Sequence, residues 1–315
     1  MAAENNDEIE QEEPSLEDEK TYDLHNWGDV VALFRDELND EQIKSHVAKH
    51  IESLISQSRM DKYRVVFLFD DWHSISPYHS NQIYKAVSDL NKKSDIMLVL
   101  QSGGGKIEPA YLVSKTCKRL CKGKFVVAIP RRAKSAATLL SLGASELHMG
   151  LLSELGPIDP QFGGFPASGL ANAMEKIAEM SSKFPKASDM FAKYLTDNLD
   201  IKDLGYFERI NESAVQYAER LLRGKKLPDS WDEERLAHHL TNHYKDHGFV
   251  IDSDEASTLL GKSVIKENTP EYEFSNKIYE FLDFLDFAYG ALRNKRIRYV
   301  GSVEGGLGTF EEPKK

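Results

Sequence analysis

With 315 residues, 41% of them hydrophobic, the chain is long enough for one large domain or two ordinary ones and has the material for a buried core. Its formal net charge of -11 argues against nucleic acid as the main partner, because phosphate binding needs clustered Lys and Arg. The only two cysteines, Cys117 and Cys121, stand one helical turn apart without nearby histidines, so neither a disulfide framework nor a zinc site is expected and both read as small core residues.

Residues 1–22 are acidic and poor in large apolar side chains, which predicts a disordered tail. No apolar run follows a basic start and none reaches membrane-spanning length, so the expectation is a cytoplasmic chain without membrane insertion. An N-terminal helical segment, 23–60, carries apolar spacing over 30–58, with Asn39-Asp40 as a possible break. Strands are predicted at 63–69, 95–101, 125–129 and 146–149, with helices at 80–90, 108–121 and 135–142 between them. This alternation predicts an α/β domain of short, largely buried strands, bounded at 61–265. The chain then turns helical, at 170–183, 187–195, 205–223 and 231–244. A final unit, 266–300, combines a long helix over 271–294 with a short strand at 297–300, and the glycine-rich end, 301–315, is expected to fray.

Two features carry chemistry. Gly103, Gly104 and Gly105 follow the second apolar strand, where a glycine turn can aim backbone N–H groups at an anion. Ser135 follows the third strand and opens Ser135-Ala136-Ala137-Thr138-Leu139-Leu140, where a helix start favours negative charge. Together they supply the parts to attack a carbonyl and hold the oxyanion that forms. Gly103-Gly104-Gly105-Lys106 lacks the spacing of a P-loop or a dinucleotide fingerprint, and Ala133-Lys134-Ser135-Ala136-Ala137 is not Gly-x-Ser-x-Gly. A plain helix cap remains the structural alternative for Ser135. Asp70 and Asp71 read as turn residues after a strand, with metal binding as the rival. His239, His243 and His247 recur at i, i+4, but no Glu completes a His-Glu-x-x-His motif, so no metal is assigned.

Gln101-Ser102-Gly103-Gly104-Gly105 resembles the Asn-Ser-Pro-Gly-Gly turn of the Clp protease proteolytic subunit and its equivalent in signal peptide peptidase A. The runs Pro130-Arg131-Arg132-Ala133-Lys134-Ser135-Ala136-Ala137 and Ser153-Glu154-Leu155-Gly156-Pro157-Ile158-Asp159-Pro160-Gln161 resemble the serine dehydrogenase proteinase family more closely. The resemblance implies an α/β Clp/crotonase fold of stacked β-β-α units with a helical C-terminal half, and Ser135 as the nucleophile of a serine peptidase. It implies oxyanion donors in the N–H groups of Gly105 and Ala136, and a substrate-binding surround of Gly103, Gly104, Ser153 and Asp159. It also implies a homo-oligomer acting on peptide or protein substrates without a cofactor. Gly103 stands where the Clp subunit has proline, which loosens the turn.

The base is less determined. Ile158-Asp159-Pro160-Gln161 puts a carboxylate where the Clp subunit has its histidine, in an Ile-His-Gln-Pro context. That disfavours a Ser-His-Asp triad and directs attention to a Ser-Lys dyad, with Lys186 ahead of Lys176 as base. Lys134, next to the serine, is expected to point away from it. The segment after residue 249 resembles the Clp stretch Phe-x-x-x-x-x-Glu-Ala-x-x-x-Gly, which brings in Asp246 or His247 as an alternative. Two further readings stay open: an inactive peptidase-like scaffold, and crotonase-type chemistry on acyl-CoA.

Overall fold

The computed structural model describes residues 20–88, 94–162, 165–198 and 201–312; most of the predicted acidic tail lies outside them. In chain order the elements are α1 (Trp27–Arg35), α2 (Asp40–Gln57), β1 (Tyr63–Asp70), α3 (Pro77–Val87), β2 (Asp95–Ser102), α4 (Ile107–Leu120), β3 (Phe125–Ala128), β4 (Arg132–Ala133), α5 (Ala136–Ser141), β5 (Glu146–Met149), β6 (Glu154–Leu155), β7 (Gln161–Phe162), β8 (Phe165–Pro166), α6 (Ala167–Lys183), α7 (Ser188–Asn198), α8 (Ile201–Leu222), α9 (Glu233–Asn242), α10 (Ser253–Leu260), β9 (Ile265–Glu267), α11 (Pro270–Arg293), β10 (Lys295–Gly301) and β11 (Leu307–Glu311).

The main sheet has the order β11-β10-β1-β2-β3-β5-β9. Its strands run parallel from β1 to β9, and β10 and β11 extend it antiparallel at the β1 edge. β4 pairs with β2 and β6, so β3, β4 and α5 form one β-β-α unit of the expected kind.

A strand with apolar side chains on both faces needs cover on both. Val66 and Leu68 of β1, with Ile96, Leu98 and Leu100 of β2, belong to a core that takes in Ile83, Val113, Leu139 and Leu221 from α3, α4, α5 and α8. The alternating set, Val65, Phe67, Phe69, Met97 and Val99, belongs to a second core with Val30 and Leu33 of α1, Ile43, Val47 and Ile51 of α2, and Phe274, Ile278 and Leu282 of α11. Each such large side chain contributes roughly 2 kcal/mol when buried. The N-terminal and C-terminal segments therefore pack on the same face of the same sheet. Asp40 joins them through ion pairs to Arg293 (2.8 Å) and Lys295 (2.6 Å).

The helix does break at Asn39. Asn39 accepts from the Gln42 N–H (3.0 Å) while Gln42 accepts from the Asn39 N–H (2.9 Å), a reciprocal cap that starts α2 afresh. Helix α3 begins earlier than the apolar spacing implies, because Pro77 fits its first turn. Part of the end expected to fray forms β11 instead, paired along β10 from Lys295 opposite Glu311 to Tyr299 opposite Leu307.

His50 is buried on α2, its ring 4.7 Å from His25 and 4.4 Å from Phe281. Burial, with the nearby His25, pushes its pKa down to about 4. The unfolded chain then binds a proton that the native His50 refuses. This contribution to stability is fully present above an ordinary histidine pKa, near 6.5, and is lost as pH falls toward 4. Urea unfolding between pH 7 and 4.5 is expected to show a shallower fall for His50→Gln than for the native chain, by up to about 1 kcal/mol per pH unit.

Candidate functional site

Strand β2 ends at Ser102 and the glycine turn follows. The Ser102 hydroxyl accepts from the Gly104 N–H (3.2 Å), which closes the turn on itself. The turn is then clamped from outside: Ile75 N–H donates to the Gly104 carbonyl (2.8 Å), and Lys106 N–H donates to the Ile75 carbonyl (2.9 Å). Gly104 has φ +101 and Gly105 φ +148, both in the range that favours glycine. A Cβ on Gly105 would lie 2.2 Å from the Ile75 nitrogen, and one on Gly104 2.7 Å from the Ser135 Cβ and the Lys134 carbonyl oxygen. Gly103 has open space instead, with nothing within 4 Å of where a Cβ would stand.

The loop that carries Ile75 is itself tied to the buried Asp70. Asp70, at the end of β1, accepts from the N–H groups of Trp72 (3.0 Å) and His73 (2.8 Å) and meets His79 Nε2 at 3.2 Å. Burial works against the charged form of Asp70, but these hydrogen bonds outweigh it and hold its pKa below the ordinary value. Asp71 takes Arg132 through Nη2 (2.8 Å) and Nε (3.0 Å) and Gln101 Nε2 at 3.0 Å. Both carboxylates thus serve as structural acceptors in the loop.

Ser135 sits between β4 and α5 with φ 52 and ψ -120, a conformation that costs a non-glycine residue roughly 1–3 kcal/mol. Its side chain makes no capping hydrogen bond to α5, so the plain helix-cap reading does not describe it. Among the described residues, neither the Gly105 N–H nor the Ala136 N–H has an acceptor.

Ser135, the three glycines and His247 line one cavity of about 1120 Å³, together with the loop Asp71 to Ser74, Ile158, Pro160 and Gln161, and Arg209, Ile210 and Ser213 of α8. His247 Nδ1 lies 2.6 Å from Asp159 Oδ1. The Asp159 carboxylate is buried and its other oxygen accepts from Gln161 Nε2 (2.8 Å), whereas a third of the His247 side chain is exposed. A carboxylate against Nδ1 fixes the tautomer that carries its proton there and leaves Nε2 as the basic nitrogen.

The other predicted site residues lie elsewhere. Lys176 is two-thirds exposed on α6 and pairs with Glu179 at 3.0 Å, and Lys186 is exposed in the short turn Pro185–Ala187; neither lines the cavity. Ser153 is buried and bonds to backbone, donating to the Ile129 carbonyl and accepting from the Gly150 N–H (2.8 Å). Asp246 closes a surface turn by accepting from the Gly248 N–H (3.0 Å). His239 and His243 stack on each other, ring centroids 4.1 Å apart. Sequence reasoning misses the pairing of Asp159 with His247, although it singles out both residues.

The fold and the cavity define an α/β protein in which a glycine turn and a strained serine share one cleft. Residues 71–284 match the sequence model of the ClpP-like SDH-type serine proteinases, and the chain belongs to that family. Two uncharacterized proteins of Methanocaldococcus jannaschii are similar to it. One is 32% identical over 97 residues, covering 31% of this chain and 34% of that protein. The other is 25% identical over 215 residues, covering 67% of this chain and 64% of that protein. The chain thus spans about a third of one of these curated relatives and just under two thirds of the other. Among solved structures, a variant of the 1510-N membrane-bound stomatin-specific protease aligns with a TM-score of 0.42 at 13% identity, covering 71% of this chain and 84% of that one. A second variant, in complex with a substrate peptide, aligns with a TM-score of 0.41 at 13% identity, covering 80% and 89%. Among the described residues, no helix is long and apolar enough to cross a membrane.

Two positions of the glycine turn test its geometry. Gly104→Ala is expected to lower stability by at least about 1–2 kcal/mol, from its backbone conformation alone, and to slow labelling of Ser135 by a fluorophosphonate probe. Gly103→Ala is expected to change the unfolding free energy by no more than about 0.5 kcal/mol, the range of an ordinary surface substitution.

Proposed function

We propose that this protein is a serine peptidase that cleaves peptide bonds through an acyl-enzyme on Ser135, with His247 as general base and Asp159 orienting it. The observation that carries the reading is the 2.6 Å contact of Asp159 with His247, which lines the cavity that Ser135 also lines. Membership of a serine proteinase family supports the reaction class.

In this mechanism the Ser135 hydroxyl attacks the scissile carbonyl as Nε2 of His247 takes its proton. The N–H groups of Gly105 and Ala136 receive the oxyanion, and removing one such donor from a serine peptidase typically costs about 10²–10³ in rate. The imidazolium then gives its proton to the leaving amine, and water, deprotonated by the same ring, releases the acyl group. Asp159 orients the ring and balances the charge that appears on it.

A lysine base makes a different physical demand. It has to be stripped of water so that it stands neutral beside the serine. Lys176 is two-thirds exposed with an ion-pair partner, and Lys186 is exposed, so within a single chain His247 is the better supported choice. The mixed surface of the cavity, with Asp71, Lys106, Glu108 and Arg209 among apolar groups, suits a peptide with polar and apolar side chains. We further propose a homo-oligomeric, cytoplasmic enzyme.

Fluorophosphonate labelling with the adduct mapped by mass spectrometry tests this reading. Label is expected on Ser135, absent in Ser135→Ala, slowed about 100-fold or more in His247→Ala, and less severely slowed in Asp159→Asn. Lys176→Ala and Lys186→Ala are expected to label like the native protein. Loss of label in either lysine variant, with His247→Ala unaffected, would establish the Ser-Lys mechanism instead.

A further inference from the structure

We propose that Lys134 is a positioning residue that holds the His247 loop in register with Ser135; this rests on the reading of His247 as the base. Lys134 immediately precedes the serine, yet it is not among the residues that line the cavity. Its ammonium group lies 2.9 Å from Glu154 Oε2 and donates to the carbonyls of Phe249 (3.0 Å), Leu155 (3.3 Å) and Gly248 (3.4 Å). Only 14% of the side chain is exposed.

Gly248 and Phe249 are the two residues after His247. One lysine therefore connects, through its own backbone, to the nucleophile and, through its side chain, to the chain that carries the base. The path is specific. A Cβ on Gly156 would come within 2.6 Å of Lys134 Cδ, so the bare glycine leaves room for the lysine stem. The backbone of Lys134 is fixed in turn by its N–H, which donates to the Ser102 carbonyl at the end of β2 (3.1 Å).

The His247 loop has other supports besides Lys134: Asp159 against the His247 ring, and the Tyr244 ring 4.7 Å from that of Phe249. It lies outside any regular element, between α9 and α10. Asp246 closes a local turn, with the Phe249 N–H donating to its carbonyl (3.0 Å), and Ile251 pairs with Leu155 through two backbone bonds of 2.9 and 3.1 Å. The Ile251 pairing anchors the far end of the loop. The Lys134 contacts fall on the two residues next to the imidazole, and its ammonium group, with three donors, is shared among the Glu154 carboxylate and the carbonyls of Leu155, Gly248 and Phe249. Proton transfer is sensitive to such placement: a displacement of about 1 Å from a residue outside the chemistry can cost 10²-fold in rate.

A double-mutant cycle tests the proposal, using fluorescein-labelled casein for turnover and a p-nitrophenyl ester to measure the residual rate of base-less variants. Lys134→Met is expected to lower kcat by about 10- to 100-fold with KM changed by no more than about twofold. In a His247→Ala background the same substitution is expected to cost nothing further, because its effect runs through the imidazole. Lys134→Gln, which keeps an N–H donor for one carbonyl, supplies the same comparison should Lys134→Met fail to fold. An equal loss in both backgrounds, or a folded variant with native kcat, would overturn the positioning role. Native activity in His247→Ala alone would instead overturn the base assignment, and the positioning role with it.

Discussion

Gly104 and Ser135 approach so closely that a single added carbon would collide with the serine Cβ. The rest of the site depends on that contact. It sets the glycine turn at a fixed distance from the serine, and it exists only because two separate pieces of chain arrive there with little freedom. Strand β2 delivers the turn, locked from one side by Ser102 and from the other by Ile75. The short strand β4 delivers the serine, and the start of α5 is fixed where the Thr138 hydroxyl donates to the Ala133 carbonyl (2.6 Å) and accepts from the Gly156 N–H (3.0 Å). A non-glycine residue at positive φ persists only where its surroundings over-determine it, and here they do.

That rigidity is supplied from well outside the cavity. The parallel strands are apolar on both faces, so a peptidase-sized domain ending at residue 265 would leave one face of β1 and β2 without α11. Helices α1, α2 and α11 close that face. The C-terminal strands add a second support nearer the site: Phe310 packs its ring 4.3 Å from His73, and Arg296 lies 4.4 Å from the ring of Trp72. Both contacts brace the loop from Asp71 to Ile75, which is the clamp on Gly104 and Gly105. The described segments outside 61–265, which carry no recognisable motif, thus support the glycine turn through two layers of packing.

The parts of this arrangement legible in the sequence are those written locally. Apolar runs such as Tyr63 to Phe69 announce the strands, Asn39 announces a helix break, and three glycines after a buried strand announce a tight turn. The short pairings are not legible: β4, β6 and β9 have two or three residues each, too few to show a period. Strand β11 carries Gly308 and Thr309 and reads as an end that frays, because its stability comes from β10 and not from its own composition. The His247–Asp159 pair spans 88 residues. No periodicity connects such positions, and only the buried setting of Asp159 reveals that it needs a partner. Lys134 reads from its spacing as turning away from the serine; its destination among the carbonyls of residues 248 and 249 is set by a long-range contact that spacing does not encode.

The order of Asp159 and His247 along the chain also has a physical reading. The proposed triad would be defined by roles and geometry, and unrelated enzymes place the members of such triads in different orders. Here the carboxylate occupies the buried segment after β6, where the Ile158 N–H is tied to the Leu240 carbonyl (2.8 Å), and the imidazole comes from the more exposed loop. A buried carboxylate left without partners is strongly destabilising, and Gln161 satisfies only one of the Asp159 oxygens. The other oxygen meets His247 Nδ1 at 2.6 Å, which supplies the partner that burial calls for. That same contact holds the His247 ring at the edge of a cavity that also holds a strained serine and the glycine turn. The energetic requirement of one buried acid thus does the orienting that the proposed chemistry needs.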